Sequence, residues 1–225
     1  MIFSTWDGKV SVRTPQYRLD AGGALHDLSR DPGQTKDLAA ELPAVARRLR
    51  QAVAAWKQEV SPRDPSDHRP FPVGHREMPL TELPAGDGVP HGGVRRSARW
   101  PNSSYFTHWT TTDDRLTWDV DVATAGRYRA TVYYACAVAD VGSTIKLSLG
   151  GSRMAAVLDQ PNDPPLVGRA GDRIPREESY TKDFRPFDLG LINLAAGRGE
   201  LTLRALNISG RQVMELQAVT LTLLP

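Results

Sequence analysis

The sequence predicts a mainly β protein, in which a β-sandwich of the jelly-roll type follows a small α+β segment. Two observations favour this class. From residue 80 onward, short runs of alternating apolar and polar residues are separated by Gly, Pro, Asn and Asp, a pattern typical of sandwiches and jelly rolls. One stretch, Pro43–Trp56, instead repeats apolar residues at the three- and four-residue spacing of a helix.

The clearest single signal is the segment Arg115–Cys136. Leu116, Trp118 and Val120 alternate with polar residues, and a second alternating run begins at Tyr128. Period two marks strands with one buried and one solvated face. Because only Ala125-Gly126 interrupts the pattern, we expect two long strands joined by a short turn, that is, a hairpin.

Composition excludes several classes of protein. The chain has 225 residues, a formal net charge of +2 and no apolar run near the ~20 residues of a membrane helix. Residues 1–79 hold 12 Lys/Arg against 10 Asp/Glu, and residues 80–225 hold 16 against 16, so no nucleic-acid binding is expected. No signal-peptide pattern is visible. Cys136 is the only cysteine, which leaves the cell compartment open.

Residues 1–60 are predicted to form a small α+β unit. Lys9–Arg13 and Tyr17–Leu19 read as short strands, Ala24–Leu28 as a third extended segment, and Asp31-Pro32-Gly33 as a turn. A helix then starts at Pro43, a residue suited to the first helical position. Two short strands are too small to bury the apolar face of this helix. We therefore expect this unit to pack on a domain not encoded here, or on a partner chain.

Two motifs in this unit resemble the end of the formylglycine-dependent sulfatases. The first is Arg13-Thr14-Pro15-Gln16-Tyr17-Arg18, which matches that family's R-T-x-x-Y-R/K strand. The second runs from Leu25 to Ala39 and contains Asp27-Leu28-Ser29-Arg30-Asp31-Pro32, followed by a helix that ends near Trp56. The resemblance covers nearly all of residues 1–57. It implies a sulfuric ester hydrolase that uses calcium and formylglycine and is usually exported.

The same family places its nucleophile in a Cys/Ser-x-Pro-x-Arg motif. Neither Cys nor Ser lies two residues before any of the 17 prolines, and Cys136 is followed by Ala137-Val138. The resemblance therefore implies a C-terminal portion without catalytic residues or cofactor of its own, which is inactive alone. A truncated gene, a split gene and an expressed fragment all remain open, and a sulfatase catalytic domain is the implied partner.

Residues 61–79 contain five prolines and no hydrophobic periodicity, so they are predicted to form an extended linker. His68 and His75 lie in it beside Asp67 and Glu77. No third ligand is spaced to complete a metal site, and we interpret both as linker histidines.

Residues 80–225 are predicted to form the sandwich. Besides the Arg115–Cys136 pair, the strand segments are Tyr105–Trp109, Ser143–Leu149, Arg153–Leu158 after the turn Gly150-Gly151, Phe184–Ile192, Glu200–Ala205 and Met214–Leu224. The apolar phase of the last one shifts by one residue, which predicts a β-bulge. The motifs at Thr117–Tyr134 and Leu194–Ala205 resemble carbohydrate-binding modules of the galactose-binding jelly-roll type, over about residues 95–225. That resemblance implies an accessory domain, and fold alone does not assign a ligand.

Several side chains are candidates for binding a glycan. Aromatic rings stack on the C–H faces of sugars, and guanidinium groups bind sulfate or uronate oxygens. The candidates are Trp100, Tyr105, His108, Trp109, Asp113, Asp114, Arg95, Arg96 and Arg99. For the aromatic residues the alternative is core packing, which is the commoner fate of large rings. For the arginines it is a solvated charge cluster.

Two further features bear on a site. The segment Asp159–Ser179 is long for a loop without secondary structure, so it is expected to border a sugar site or to pack on a sulfatase core. Related jelly rolls often hold a structural calcium, for which Glu82 and Glu215 are the nearest candidates, although calcium needs six or more oxygens.

The sequence thus leaves three functions open. The first is a non-catalytic, sulfatase-associated module that assists binding of a sulfated or other glycan. The second is a purely structural sandwich that packs on a sulfatase core or partner chain. The third, an enzyme in its own right, needs an organised acid–base pair that the sequence does not supply.

Overall fold

The computed structural model describes residues 1–60, 69–100 and 104–225. The chain divides into two compact units, Met1–His68 and Arg69–Pro225, which we call unit 1 and the sandwich unit. Residues 61–68 of the predicted linker lie outside the described residues. The fold is mainly β, as the sequence predicts.

In the described part of the chain there is one α-helix, α1 (Pro43–Val60), together with three short 3₁₀ turns. The strands, in chain order, are β1 (Ile2–Trp6), β2 (Lys9–Arg13), β3 (Tyr17–Leu19), β4 (Leu25–Asp27), β5 (Phe71–Val73), β6 (Leu80–Pro84), β7 (Val89–His91), β8 (Arg95–Arg96), β9 (Phe106–Thr107), β10 (Arg115–Val122), β11 (Gly126–Ala135), β12 (Thr144–Leu149), β13 (Ser152–Val157), β14 (Arg185–Leu194), β15 (Gly197–Asn207) and β16 (Glu215–Leu223).

Unit 1 is a four-stranded antiparallel sheet covered by α1. The strand order is β1-β2-β3-β4, and its core consists of Val12, Leu19 and Leu25 from the strands with Ala46 and Leu49 from the helix. Farther along α1, the ring of Trp56 stacks on that of Phe3, with centroids 5.2 Å apart. The helical stripe that the sequence left without a partner is therefore covered in part by the unit's own sheet. No helix in the described residues combines the length and apolarity required for a transmembrane segment.

The sheet is larger than predicted because the sequence analysis missed β1. Asp7 and Gly8 both adopt positive φ, at 48° and 72°, and they join Trp6 to Lys9 as the directly opposed ends of a hairpin. Asp-Gly is a preferred pair for such a two-residue turn, because both positions need a left-handed backbone. The Asp-Gly pair between two short β-prone runs was the signal available for this strand.

Three aspartates hold the turns of unit 1 by accepting backbone N–H groups. Asp27 binds Ser29, Asp31 binds Thr35 and Lys36, and Asp37 binds Leu25 and Ala39, at 2.7–3.0 Å. These hydrogen bonds hold the pKa of each carboxyl group below its ordinary value; the largest contributions come from the Ser29 hydroxyl for Asp27, the Lys36 N–H for Asp31 and the Ala39 N–H for Asp37. The Asp-Leu-x-x-Asp-Pro motif thus has a structural role in this fold.

The sandwich unit consists of two six-stranded sheets. In the first, the order is β13-β12-β15-β10-β5, with β7 also beside β10; in the second it is β14-β11-β16-β9-β8, with β6 also beside β16. The core lies between them and includes the fully buried side chains Trp118, Tyr128, Leu203 and Leu216. Trp118 donates its indole N–H to the carbonyl of Pro84 at 3.0 Å, so its one polar atom is satisfied within the core.

The predicted hairpin at Arg115–Cys136 is wrong. β10 pairs with β15, β5 and β7, whereas β11 pairs with β14 and β16 in the other sheet. Residues 123–125 therefore form an arch that carries the chain from one sheet to the other. The arch is fixed where Ala123 N–H donates to Val73 O at 2.8 Å and where Tyr128 donates its hydroxyl to Thr124 O at 2.5 Å. Strands of a hairpin and of an arch both bury alternate residues, so period two cannot distinguish them.

Two other predictions in this unit are confirmed. β12 and β13 form a hairpin in which Leu149 faces Ser152 across Gly150-Gly151, with a positive φ of 55° at Gly150. The pairing of β11 with β16 also skips Gln217, since Tyr133 faces Ala218 and Tyr134 faces Leu216. This extra residue is the predicted bulge.

One part of the predicted linker forms a strand. β5 runs parallel to β10, with Phe71 opposite Val120 and Val73 opposite Val122. Val73 is fully buried, while Pro72 is exposed. Proline is tolerated here because β5 ends its sheet and leaves one side without ladder hydrogen bonds. Because this segment is rich in proline, its sequence did not predict the strand.

Candidate functional site

A cavity of about 400 Å³ lies in the sandwich unit between the segment that links β8 to β9 and the long connection of residues 158–184. We call it the long-loop cavity. Among the described residues its lining includes Ser97, Tyr105, Asp172, Arg176 and Tyr180. The segment Asp159–Ser179, expected to border a site, thus supplies much of this lining.

The long connection is anchored to the sandwich at its start. Asn162 exchanges two backbone hydrogen bonds with Cys136, at 2.6 and 2.9 Å. The Asn162 side-chain amide donates to Tyr134 O at 2.8 Å and to Asp183 O at 3.1 Å, which ties both ends of the connection to β11. These contacts position the residues that line the cavity.

Tyr105 and two serines form the inner part of the long-loop cavity. Tyr105 is buried and packs edge-to-face on Phe184, with ring centroids 5.2 Å apart. Burial, with a smaller contribution from the Glu215 carboxylate, raises the pKa of Tyr105, so its phenol stays protonated at neutral pH. The hydroxyls of Ser97 and Ser179 are 2.5 Å apart, and together they join the two walls of the cavity.

Arg176 organises the outer wall. Its Nε lies 2.7 Å from Oδ2 of Asp172, and its Cζ lies 4.4 Å from the centroid of the Tyr180 ring. The hydrogen bond from Arg176, with a further contribution from Tyr180, lowers the pKa of Asp172. A carboxylate, a guanidinium and an aromatic ring are therefore held against one another in fixed orientations.

Trp100 lies beside this wall. Its side chain is 38% exposed, and its indole N–H donates to Oε2 of Glu177, a cavity-lining residue, at 3.4 Å. The Arg99 guanidinium lies over the Trp100 ring at 4.9 Å. Of the predicted ligand-binding residues, the structure thus brings Tyr105 into the cavity and Trp100, with Arg99, next to it.

Trp109, the third aromatic candidate, does not line the long-loop cavity. Trp109 is 1% exposed and belongs to the sandwich core, as does Phe106. His108 between them is exposed, with a positive φ of 60°, and it does not line the cavity. The alternative of core packing is the one that the structure favours for Trp109.

Asp114 holds backbone together. Its carboxylate is 2% exposed and accepts N–H groups from Gly93 at 2.7 Å, Thr110 at 3.1 Å and Thr111 at 2.9 Å. Asp113, by contrast, is exposed. Asp114 thus joins the β7–β8 turn to the segment before β10, and neither aspartate lines the long-loop cavity.

The three predicted arginines do not form one anion site. Arg96 donates to the carbonyls of Ala85, Gly86 and Gly88 at 2.6–2.8 Å, so its guanidinium holds a 3₁₀ turn. Arg95 is exposed on β8. Since Arg99 stacks on Trp100, each of the three has separate neighbours.

The calcium candidates are also separate. Glu82 is exposed on β6 opposite Thr220 of β16, whereas Glu215 lies at the start of β16. Glu215 is paired with Lys182 at 2.7 Å, and both side chains are about 85% buried. In the part of the chain that the structure describes, no group of three or more His, Cys, Asp or Glu side chains is arranged to hold a metal ion.

Sequence reasoning missed Arg176 and Tyr180. They lie four residues apart in a polar loop, and Asp172 precedes Arg176 by the same interval. That spacing was the one local signal for a packed cluster. Their approach to Ser97 and Tyr105, more than 70 residues earlier in the chain, has no signature in a single sequence.

Cys136 has no nucleophilic role in this arrangement. Burial, with smaller contributions from the Asp140 and Asp163 carboxylates, raises the pKa of its thiol to about 11, and the side chain is 2% exposed. We therefore expect no reaction of the folded protein with an aromatic disulfide reagent at about pH 8, because thiolate is the reacting species. Full reaction is expected in denaturant. Rapid labelling of the folded chain would contradict this burial.

No protein-family model matches the sequence, and a comparison with curated proteins gives no match. Solved structures do resemble it. A GH26-CBM35 β-(1,4)-mannanase of Podospora anserina has a TM-score of 0.45 and 16% identity over 65% of this chain and 28% of that chain. The C-terminal CBM6 of LamC from Zobellia galactanivorans has a TM-score of 0.45 and 14% identity over 64% and 98%.

The Cry4Aa larvicidal toxin of Bacillus thuringiensis has a TM-score of 0.48 and 12% identity over 65% of this chain and 24% of that chain. This chain thus spans little more than a quarter of the mannanase. The two sheets of the sandwich unit themselves define a β-sandwich, and structural similarity at this level does not assign a ligand. No comparison supports the resemblance of residues 1–57 to sulfatases.

Proposed function

We propose that the sandwich unit is a non-catalytic module that binds a glycan in the long-loop cavity. The observation that carries this proposal is the arrangement of Tyr105, Tyr180 and the Asp172–Arg176 pair around a cavity of about 400 Å³. Ligand sites in proteins are typically concave, with apolar walls and a few oriented polar groups.

The chemistry of the lining fits a sugar ring. Aromatic rings such as Tyr180 and the neighbouring Trp100 offer faces to apolar C–H groups. Carboxylates accept hydrogen bonds from sugar hydroxyls, and guanidinium groups donate to hydroxyl oxygens. Because Arg176 is already fixed by Asp172 and Tyr180, little side-chain entropy is lost when a ligand binds.

The charges of the cavity favour a neutral glycan over a sulfated one. Two arginines, Arg169 and Arg176, face three carboxylates, Asp172, Glu177 and Glu178. A sulfate group would meet a lining with an excess of one negative charge, which opposes its binding. The sequence left both sulfated and other glycans open as ligands, whereas the charges of the cavity lead us to propose a neutral glycan.

The test is isothermal titration of the full chain with a panel of neutral and sulfated oligosaccharides. We expect saturable binding of a neutral member and at least tenfold weaker binding of its sulfated counterpart. Tyr180→Ala removes the ring of the outer wall and should weaken binding about tenfold, or ~1.4 kcal/mol.

A matched control is Ile174→Ala, because Ile174 lies in the same loop, is 80% exposed and does not line the cavity. Its affinity should equal that of the wild type. Flat titrations across the panel would overturn the proposal and leave the structural module as the better account, and tighter binding of the sulfated member would overturn the preference for neutral glycans.

For unit 1 we propose a relation to the C-terminal subdomain of sulfatase-like hydrolases. In support, Arg13–Arg18 falls on β2, β3 and their turn, the Asp-Leu-x-x-Asp-Pro motif begins at the last residue of β4, and α1 begins at Pro43. The sandwich would then serve a sulfatase catalytic domain as partner. We expect no sulfate release from an aryl sulfate by this chain alone, and measurable hydrolysis would contradict that assignment.

A further inference from the structure

A second cavity, of about 540 Å³, lies beside the arch between β10 and β11. We call it the arch cavity. Its lining includes Arg76, Arg127, Pro79, Ala125, Leu223 and Leu224. The arch cavity adjoins the first residues of β11. Tyr105, which lines the long-loop cavity, packs near Ala135, the last residue of β11. The two cavities therefore lie toward opposite ends of β11 and are independent.

Backbone hydrogen bonds fix the walls of the arch cavity. Leu223 N–H donates to Pro79 O at 2.9 Å, and Leu224 N–H donates to Arg127 O at 2.9 Å. A Cβ atom at Gly126 would come within 2.9 Å of Cδ1 of Leu223, so the arch packs closely on the end of β16. Three separate segments of the chain thus hold the cavity in shape.

The charged side chains that line this cavity are those of Arg76 and Arg127, and Pro225, the last residue of the given sequence, lines it as well. By contrast, Arg129 on β11 and Arg198 on β15 are paired with Asp188 and Asp119. Within the described ranges, no hydrogen bond or ion pair to the side chain of Arg76 or Arg127 is found, and no Asp or Glu side chain lines the cavity. The remaining lining is mostly aliphatic. The cavity therefore combines two available guanidinium groups with an apolar wall.

We propose that the arch cavity is a binding site for a small organic anion, in which one carboxylate is attached to an apolar body. The two guanidinium groups would bind the carboxylate, with which their planar N–H donors match in geometry. Pro79, Leu223 and Leu224 would contact the apolar body. A neutral ligand of the same shape lacks the first interaction, and an inorganic anion lacks the second.

The test is titration of the full chain with 2-naphthoate and with its neutral counterpart 2-naphthylmethanol. We expect saturable one-to-one binding of the naphthoate, weakened by added salt because the charges are exposed. The alcohol should bind at least tenfold more weakly. In the double variant Arg76→Gln/Arg127→Gln, naphthoate affinity should fall at least tenfold, to the level of the alcohol.

Arg153→Gln is the matched control, since Arg153 is an exposed arginine on β13 outside both cavities. It should leave naphthoate affinity unchanged, and thermal melts of all variants should match the wild type. Three results would each overturn the proposal: no saturable binding of naphthoate, equal affinity for the alcohol, or undiminished affinity in the double variant. None of them bears on glycan binding in the long-loop cavity.

Discussion

Replacing Trp118 with alanine is expected to lower the free energy of unfolding of the sandwich unit by about 4 kcal/mol. The side chain is 1% exposed and packs edge-to-face on Phe106, with centroids 6.3 Å apart. A Cβ atom at Gly88 would come within 2.8 Å of the indole, so backbone as well as side chains surround it. Alanine would leave a cavity and would also leave Pro84 O without its donor.

Urea unfolding followed by circular dichroism measures this loss. Trp118→Phe keeps an aromatic ring and should cost clearly less than Trp118→Ala, because it removes less volume. The control is Trp6→Ala, since Trp6 is 80% exposed on β1 of unit 1, and its effect should stay within about 0.5 kcal/mol. A loss below about 1 kcal/mol for Trp118→Ala would show that this residue is not at the centre of the core.

Asp114→Ala is expected to destabilise the sandwich unit by about 2 kcal/mol, because it removes the three hydrogen bonds that the buried carboxylate accepts from the N–H groups of Gly93, Thr110 and Thr111. Asp113→Asn is the matched control next to it. Since Asp113 is exposed, its replacement should change stability by less than about 0.5 kcal/mol. Equal effects of the two substitutions in urea unfolding would contradict the structural role of Asp114.

The same carboxylate gives the stability a dependence on pH. Burial alone would raise the pKa of Asp114, but the three backbone N–H donors outweigh it, so the folded pKa lies below the ordinary value. The stabilisation is therefore present above the unfolded pKa of about 3.9 and is lost as the pH falls through the folded pKa. The difference in unfolding free energy between wild type and Asp114→Asn should accordingly shrink below about pH 4. A difference that stays constant on acidification would contradict this account.

Much of the secondary structure could be predicted from the sequence, and the pairing of strands could not. β2, β3 and the start of α1 fall where periodicity and the Pro43 signal place them. Period two in β10 and β11 identifies most of the buried side chains, although Thr117 on the polar face of β10 is buried as well. It carries no information on whether the partner strand lies in the same sheet or across the core, so the arch was predicted as a hairpin. β5 was not predicted for a different reason: proline usually argues against a strand, and Pro72 is tolerated because β5 lies at a sheet edge.

The candidate site could likewise be predicted only in its local features, not in its non-local contacts. Trp100 and Tyr105 belong to a group of aromatic residues that are close together in the sequence, so the sequence alone identifies them as candidates. Whether each ring faces the core or a cavity depends on the long connection from β13 to β14, which brings Arg176 and Tyr180 to them. That contact is non-local and made by a segment without periodicity, so sequence patterns could not predict it.

The central claim is that the sandwich unit binds a neutral glycan in the long-loop cavity. Its most direct test is an NMR titration of the full chain with the neutral oligosaccharide that binds best in the calorimetric panel. We predict that the largest amide shifts come from residues 97, 98, 105 and 166–180, while Thr124–Arg127 at the arch are unaffected. Shifts concentrated at the arch, or none at saturating ligand, would contradict the claim.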